Sequence, residues 1–185
     1  MVLRFNESKV TQAAAMLLKM RGGKMSYMKL LKLLYLVDRE ALLRWGRPVS
    51  TDRYVSMDRG PILSKTLDLI NEGAEDHAGR TWAKYISAPL GDHEVELRND
   101  TPNDELSRAE EKLISEIFGK LGHLTRWQIV DHVHTLPEWI DPNGGAIPIQ
   151  YEDILRAGNK TEIEIESILQ ELRNIAHLQD CLQTY

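Results

Sequence analysis

One cysteine, Cys181, stands in 185 residues, so an intramolecular disulfide and a cysteine-rich zinc site are both excluded, which fits a reducing compartment. Long apolar runs are missing too. The opening MVLRFNESK has no apolar core of signal-peptide length, and later apolar stretches are cut by Lys19, Lys29 and Lys32. No transmembrane segment is therefore expected, and the chain reads as a cytoplasmic protein. Positive charge is in deficit: 28 acidic against 23 basic residues give a net charge of -5, which argues against broad phosphate-backbone binding while leaving room for a local basic patch. Familiar catalytic signatures are absent as well. The chain has no Gly-x-Gly-x-x-Gly, no Walker-type loop and no Gly-x-Ser-x-Gly, so neither an enzyme nor a cofactor is expected.

Hydrophobic residues at 42% and charged residues at 28% place the chain in the ordinary globular class, and its length suits one compact domain over residues 1–185. Helical periodicity dominates. Val10, Ala13, Ala14, Leu17 and Leu18 form the stripe of a helix from Ser8 to Arg21, stopped by Gly22 and Gly23. A second helix over about 26–45, capped by Ser26, is apolar around most of its circumference, which predicts a central helix packed on several sides. Tyr54 and Val55 mark an extended segment closed by the turn DRGP, a third helix is expected from Pro61 to Gly73, and residues 74–80 read as loop. Alternation in TWAKYISAPLGDHEVELRND predicts a small β-hairpin over about 81–98. Ser107 with Glu110 and Thr161 with Glu164 make capping boxes. The first opens a helix to about Phe118 and the second a C-terminal helix over about 161–182, while Thr125 caps a helix carrying Trp127, Ile129, Val130 and Val133. The expected fold is mainly α, a single helical domain around the 26–45 helix with a minor hairpin.

Asp38 looks misplaced in that central helix. At 100° per residue it shares a side with Leu31, Leu34, Leu42 and Trp45, whereas Lys29, Lys32 and Glu40 fall opposite. A buried ionised carboxylate costs several kcal/mol unless paired, so a partner is expected from Arg53, Tyr54 or Arg59 in the segment that follows. Asp38 and Arg53 are accordingly read as structural buried polar residues. Asp131, His132, His134 and Glu138 invite a metal reading, with His77 and His93 as distant additions, but histidines at i and i+2 on a helix point about 160° apart. No metal is expected. Between Lys29 and Arg59 the basic residues Lys32, Arg39, Arg44, Arg47 and Arg53 also cluster, diluted by Asp38, Glu40, Asp52 and Asp58. They support DNA binding only as the alternative function, that of an autoregulatory protein. Protein binding needs aromatic, Met or Arg anchors outside the core periodicity, and Tyr54, Met57, Arg59, Trp82, Pro137 and Trp139 are the candidates.

The stretch MKLLKLLYLVDREALLRWGRPVSTDRYVSMDRGPI, with its Lys-Leu-x-Lys-Leu-Leu-Tyr helix, the Asp38-Arg39 pair, the turn at Gly46 to Pro48 and the Tyr54 to Pro61 segment, resembles the Panacea, or SocA-like, antitoxin domain. HTLPEWIDP from His134 is similar to the family's His-and-Trp patch. The resemblance implies a mainly helical cytoplasmic protein, encoded beside a toxin in bacteria, mobile elements or prophages, that neutralises a cognate protein toxin by direct binding. It also implies, for some members, an adaptor role that brings in an energy-dependent AAA+ protease as a further partner. The 81–100 segment and the long tail depart from the short members, so the identity of the toxin is not carried over.

Overall fold

The computed structural model describes residues 3–71 and 81–182, and the expected loop at 74–80, the helix end at Gly73 and His77 lie outside the described residues. Helix α1 (Glu7–Met20) is capped by Asn6, whose side chain accepts from the Lys9 amide at 2.9 Å. A short strand β1 (Lys24–Ser26) leads into α2 (Tyr27–Trp45), which ends where Gly46 takes a left-handed φ of 69°. Leu30, Leu33, Leu34, Tyr35, Val37, Ala41 and Leu42 point in different directions around α2, and all are buried. The helix therefore needs neighbours on every side. It packs against α1 and β1, and against five elements that follow it: β3 (Gly60–Leu63), α3 (Ser64–Asn71), α5 (Arg108–Leu121), α6 (Arg126–His134) and α7 (Tyr151–Ala157).

Strand β2 (Tyr54–Met57) pairs antiparallel with β3, Tyr54 opposite Leu63 and Met57 opposite Gly60. β5 (Ile147–Ile149) covers the other edge of β2, giving the order β3-β2-β5. The sequence reading differs here, because Pro61 begins no helix and lies in a strand. β3 is an edge strand, where a residue without an N–H loses nothing from the ladder. The third helix instead starts at Ser64, because the buried Asp52 carboxylate accepts from the amides of Lys65 and Thr66, both at 2.9 Å, and so caps that first turn.

The segment expected as a hairpin is also rearranged. Residues Thr81–Tyr85 are helical (α4), with Trp82 turned into the core, and the hairpin is confined to 85–98, where the Arg98 amide donates to the Tyr85 carbonyl at 2.7 Å, the Ser87 amide to the Glu96 carbonyl at 2.9 Å, and Leu90 and Glu94 exchange bonds beside the turn. The remaining strand, β4 (Glu94–Glu96), finds its ladder on β1, where the buried pair Met25 and Val95 face each other. Three helix starts follow the capping signals. Ser107 with Glu110, Thr125 with Gln128 and Thr161 with Glu164 form reciprocal boxes ahead of α5, α6 and α8 (Glu162–Cys181). Ser26 precedes α2 without a side-chain cap bond.

Gly60 sets how closely the hairpin approaches α6. Its φ is 93°, and a Cβ placed there would lie 2.5 Å from the Val133 side chain. Gly60→Ala should therefore destabilise the protein by about 2–4 kcal/mol, combining left-handed strain with overpacking. Urea unfolding checks this; a loss below about 0.5 kcal/mol would mean that hairpin and helix are not in contact as described.

Candidate contact site

Asp38 is 1% exposed and among the described residues forms no ion pair with a cation. Its Oδ1 accepts from the amides of Val49 and Ser50, each at 2.9 Å, and its Oδ2 accepts from the Ser50 hydroxyl and from Tyr54 Oη at 3.0 Å. Of the three expected partners, the tyrosine is the one present. Arg53 is exposed, correcting its assignment as a buried polar residue, and Arg59 points elsewhere. Burial pushes the Asp38 carboxyl up to about 6 while the hydrogen bonds from Ser50 and Tyr54 oppose the rise. The carboxylate thus ties residues 49–54 to α2 through neutral donors.

Other polar side chains on α2 make comparable ties. Lys29 and Lys32 are buried, contrary to their expected place on a solvated side. Lys32 Nζ donates to the Pro61 carbonyl at 2.9 Å, and burial lowers its pKa to about 7. Glu138, weighed as a metal ligand in the sequence, is fully buried and binds α2 instead: Oε1 accepts from Tyr35 Oη at 2.9 Å and Arg39 Nε at 2.6 Å, and Oε2 from Arg39 Nη2 at 3.3 Å. Arg44 pairs with Glu40 and Glu116. Two members of the basic cluster are thus buried and two are held by carboxylates, which leaves Arg47, Arg53 and Arg59 exposed and dissolves the continuous patch that DNA binding would require.

The Glu138 clamp fixes its neighbours. Trp139 stacks on His134 with centroids 4.1 Å apart and donates Nε1–H to the Met57 carbonyl at 3.1 Å, while the Ile140 amide donates to Ser56 Oγ at 3.3 Å. The hairpin turn is held from its far side, where Asp58 Oδ1 accepts from the Gly144 amide at 2.8 Å. Arg59 leaves that turn with its guanidinium 5.6 Å from the centre of the Trp127 ring. The result is a surface made of the β2–β3 turn, the start of α6 and the 136–141 loop. On it Trp127 is 51% and Ile140 60% exposed, beside exposed Arg59 and Pro137 and half-buried Met57 and Trp139.

Of the six expected residues, Met57, Arg59 and Trp139 are brought together here, and Pro137 is exposed on the adjoining loop. Tyr54 and Trp82 do not join them: at 3% and 2% exposure both are core residues, a correction to their reading as binding anchors. Tyr54 is buried because its hydroxyl serves Asp38 and its ring meets Tyr35 edge-on, with centroids 5.5 Å apart. Trp82 is carried inward by α4. Two exposed apolar side chains of this face, Trp127 and Ile140, are not among the six expected residues. Trp127 had been grouped with the apolar residues of α6, although a helical wheel puts it about 110° from the centre of the Ile129, Val130 and Val133 stripe.

A family model described as "Antitoxin SocA-like, Panacea domain" matches residues 30–140, more than half of the chain. No curated protein and no solved structure matches.

Two outcomes follow from these ties. Asp38 titrates near 6 when folded and near 3.8 when unfolded, so the native state binds the extra proton between those values and stability should rise as pH falls from about 6 to 4. Lys32 has the opposite sign: the unfolded chain binds the extra proton between pH 7 and 10.5, so stability should rise with pH across that window. Melting of wild type against Asp38→Asn and Lys32→Met would show each slope flattened in its own variant, and parallel profiles would refute the assignment. For the clamp, Glu138→Ala leaves Arg39 and Tyr35 without their acceptor and should cost about 3 kcal/mol. Hydrogen exchange at residues 136–141 should accelerate in that variant, and unchanged protection would show that the loop is held by something else.

Proposed function

Because the chain belongs to the family of SocA-like antitoxins with a Panacea domain, we propose that it neutralises a cognate protein toxin by direct contact, and that the face built from Arg59, Trp127, Pro137, Trp139 and Ile140 is where the toxin docks. The observation that carries the reading is the exposure of Trp127 and Ile140 on a backbone whose neighbouring polar groups are tied down. Large apolar side chains left in water on a fixed frame lose little conformational freedom on binding, and aromatic and arginine side chains of this kind dominate hot spots. Arg59 beside Trp127 adds a cation already positioned by a ring. Contact alone accounts for neutralisation in this reading, and delivery to an AAA+ protease is a separate step that the same face would leave open.

Co-expression with the reading frame beside the gene tests the proposal. Growth should be rescued, and rescue should persist in a host lacking the relevant protease. Trp127→Ala, Ile140→Ala and Arg59→Ala should each weaken toxin binding by about 2 kcal/mol or more without lowering the melting temperature, because all three side chains are exposed. Tyr54→Ala is unsuited to this test, since its loss strips a donor from buried Asp38. Charge reversal at Glu166, exposed on α8, is the control and should leave binding unchanged. Full binding by the three folded variants, with loss in the Glu166 variant, would move the interface to the other end of the molecule.

A further inference from the structure

An open cleft of about 460 Å³ lies where the turn after α1, strand β1, the approach to β4 and the α5–α6 corner meet. Arg21, Lys24, Lys29 and Arg126 line it against Asp92 and Glu94, an excess of cations on a chain whose net charge is -5. Not all of that charge is free. Lys24 faces Glu94 at 3.7 Å, and Arg126 directs Nη1 to the Asp92 carbonyl at 3.5 Å. Only the first of these is an ion pair, because the Asp92 carbonyl is neutral, and among the described residues Arg21, Lys29 and Arg126 make no ion pair with a carboxylate.

Lys29 is 4% exposed, and two of its three ammonium hydrogens go to the carbonyls of Gly122 at 2.6 Å and Leu124 at 2.5 Å. Both acceptors are neutral. Burial, and after it the nearby charge of Arg21, lowers the pKa of this lysine, and both side chains line the one cleft. Such an arrangement is unfavourable in the empty protein and is relieved by an anion that reaches both groups. The Thr125 hydroxyl at the mouth of α6 lines the same cleft, where the helix dipole adds to the positive potential.

We propose that this cleft binds the phosphate group of a small phosphate monoester, with Arg21 and the third hydrogen of Lys29 as its principal donors. A dianion suits a cleft in which Arg21, Lys29 and Arg126 have no carboxylate partner among the described residues, and the guanidinium fork of Arg21 suits phosphate oxygens. The volume exceeds that of bare phosphate and leaves room for an organic portion. A nucleic-acid strand is disfavoured, because among the described residues no aromatic side chain lines the cleft for base stacking.

Titration of the full chain with inorganic phosphate, at constant ionic strength held with chloride, tests this by calorimetry. A saturable site of unit stoichiometry is expected. Arg21→Gln should weaken it about tenfold or more and Arg126→Gln less, with both variants melting as wild type since both side chains are exposed. Arg53→Gln, an exposed cation outside the cleft, should bind as wild type. Absence of saturable binding, or equal weakening by Arg53→Gln and Arg21→Gln, would overturn the site. Both outcomes are independent of toxin binding.

Discussion

A polar atom carried into the core on α2 must find its partner inside the protein, and the segments around the helix are arranged by where those partners are. Asp38 takes residues 49–54, Lys32 takes the Pro61 carbonyl, Tyr35 and Arg39 take Glu138, and Lys29 takes the α5–α6 corner. Apolar packing alone would let these segments slide, because burial is roughly proportional to area and indifferent to register. Hydrogen bonds in a desolvated setting are not, since a group left unmatched costs about 1–3 kcal/mol. The ties on α2 therefore fix position where the leucines supply most of the cohesion.

That division of labour explains how a small hairpin and an irregular loop can hold a defined surface. A two-stranded hairpin is marginal by itself in water. Here β2 is flanked by β3 and β5, its turn is caught by Gly144, and Gly60 lets α6 approach to within van der Waals contact. The 136–141 loop is fixed at one buried point, Glu138, and its neighbours Trp139 and Ile140 inherit that position through bonds to Met57 and Ser56. The exposed side chains between them are set by groups they do not touch.

Much of this frame was legible in the sequence, and the failures have common causes. The helices announced by periodicity and capping boxes lie within a few residues of expectation, because their signals are local. The central place of α2 followed from its all-round apolarity, and the need of Asp38 for a partner followed from its position. What could not be read was long-range pairing. β4 joins β1 across some seventy residues, and Asp52, not Pro61, decides where α3 begins. Lys29 and Lys32 were misplaced for a related reason: a long aliphatic stem lets an ammonium reach a carbonyl that no helical wheel contains. Trp127 was visible on the wheel, whereas Ile140 sits in a loop with no period to depart from.

The residues of the α2 to β3 stretch that carry the family resemblance are mostly residues of the frame. Lys32, Leu33, Leu34, Tyr35 and Asp38 are buried, Arg39 is bound to Glu138, and Gly60 is required by its conformation and by Val133. Trp127 lies outside the motifs of the resemblance, Ile140 lies in the second of them, HTLPEWIDP, and both face water. The part of the signature in the α2 to β3 stretch, made mostly of internal ties, specifies where a surface is held. Side chains on a frame of this kind can be exchanged at the cost of a surface substitution, within about 0.5 kcal/mol of stability, so the same scaffold can present different anchors to different partners. On the exposed positions of the β2–β3 turn, α6 and the 136–141 loop a substitution meets water and leaves the polar ties beneath undisturbed.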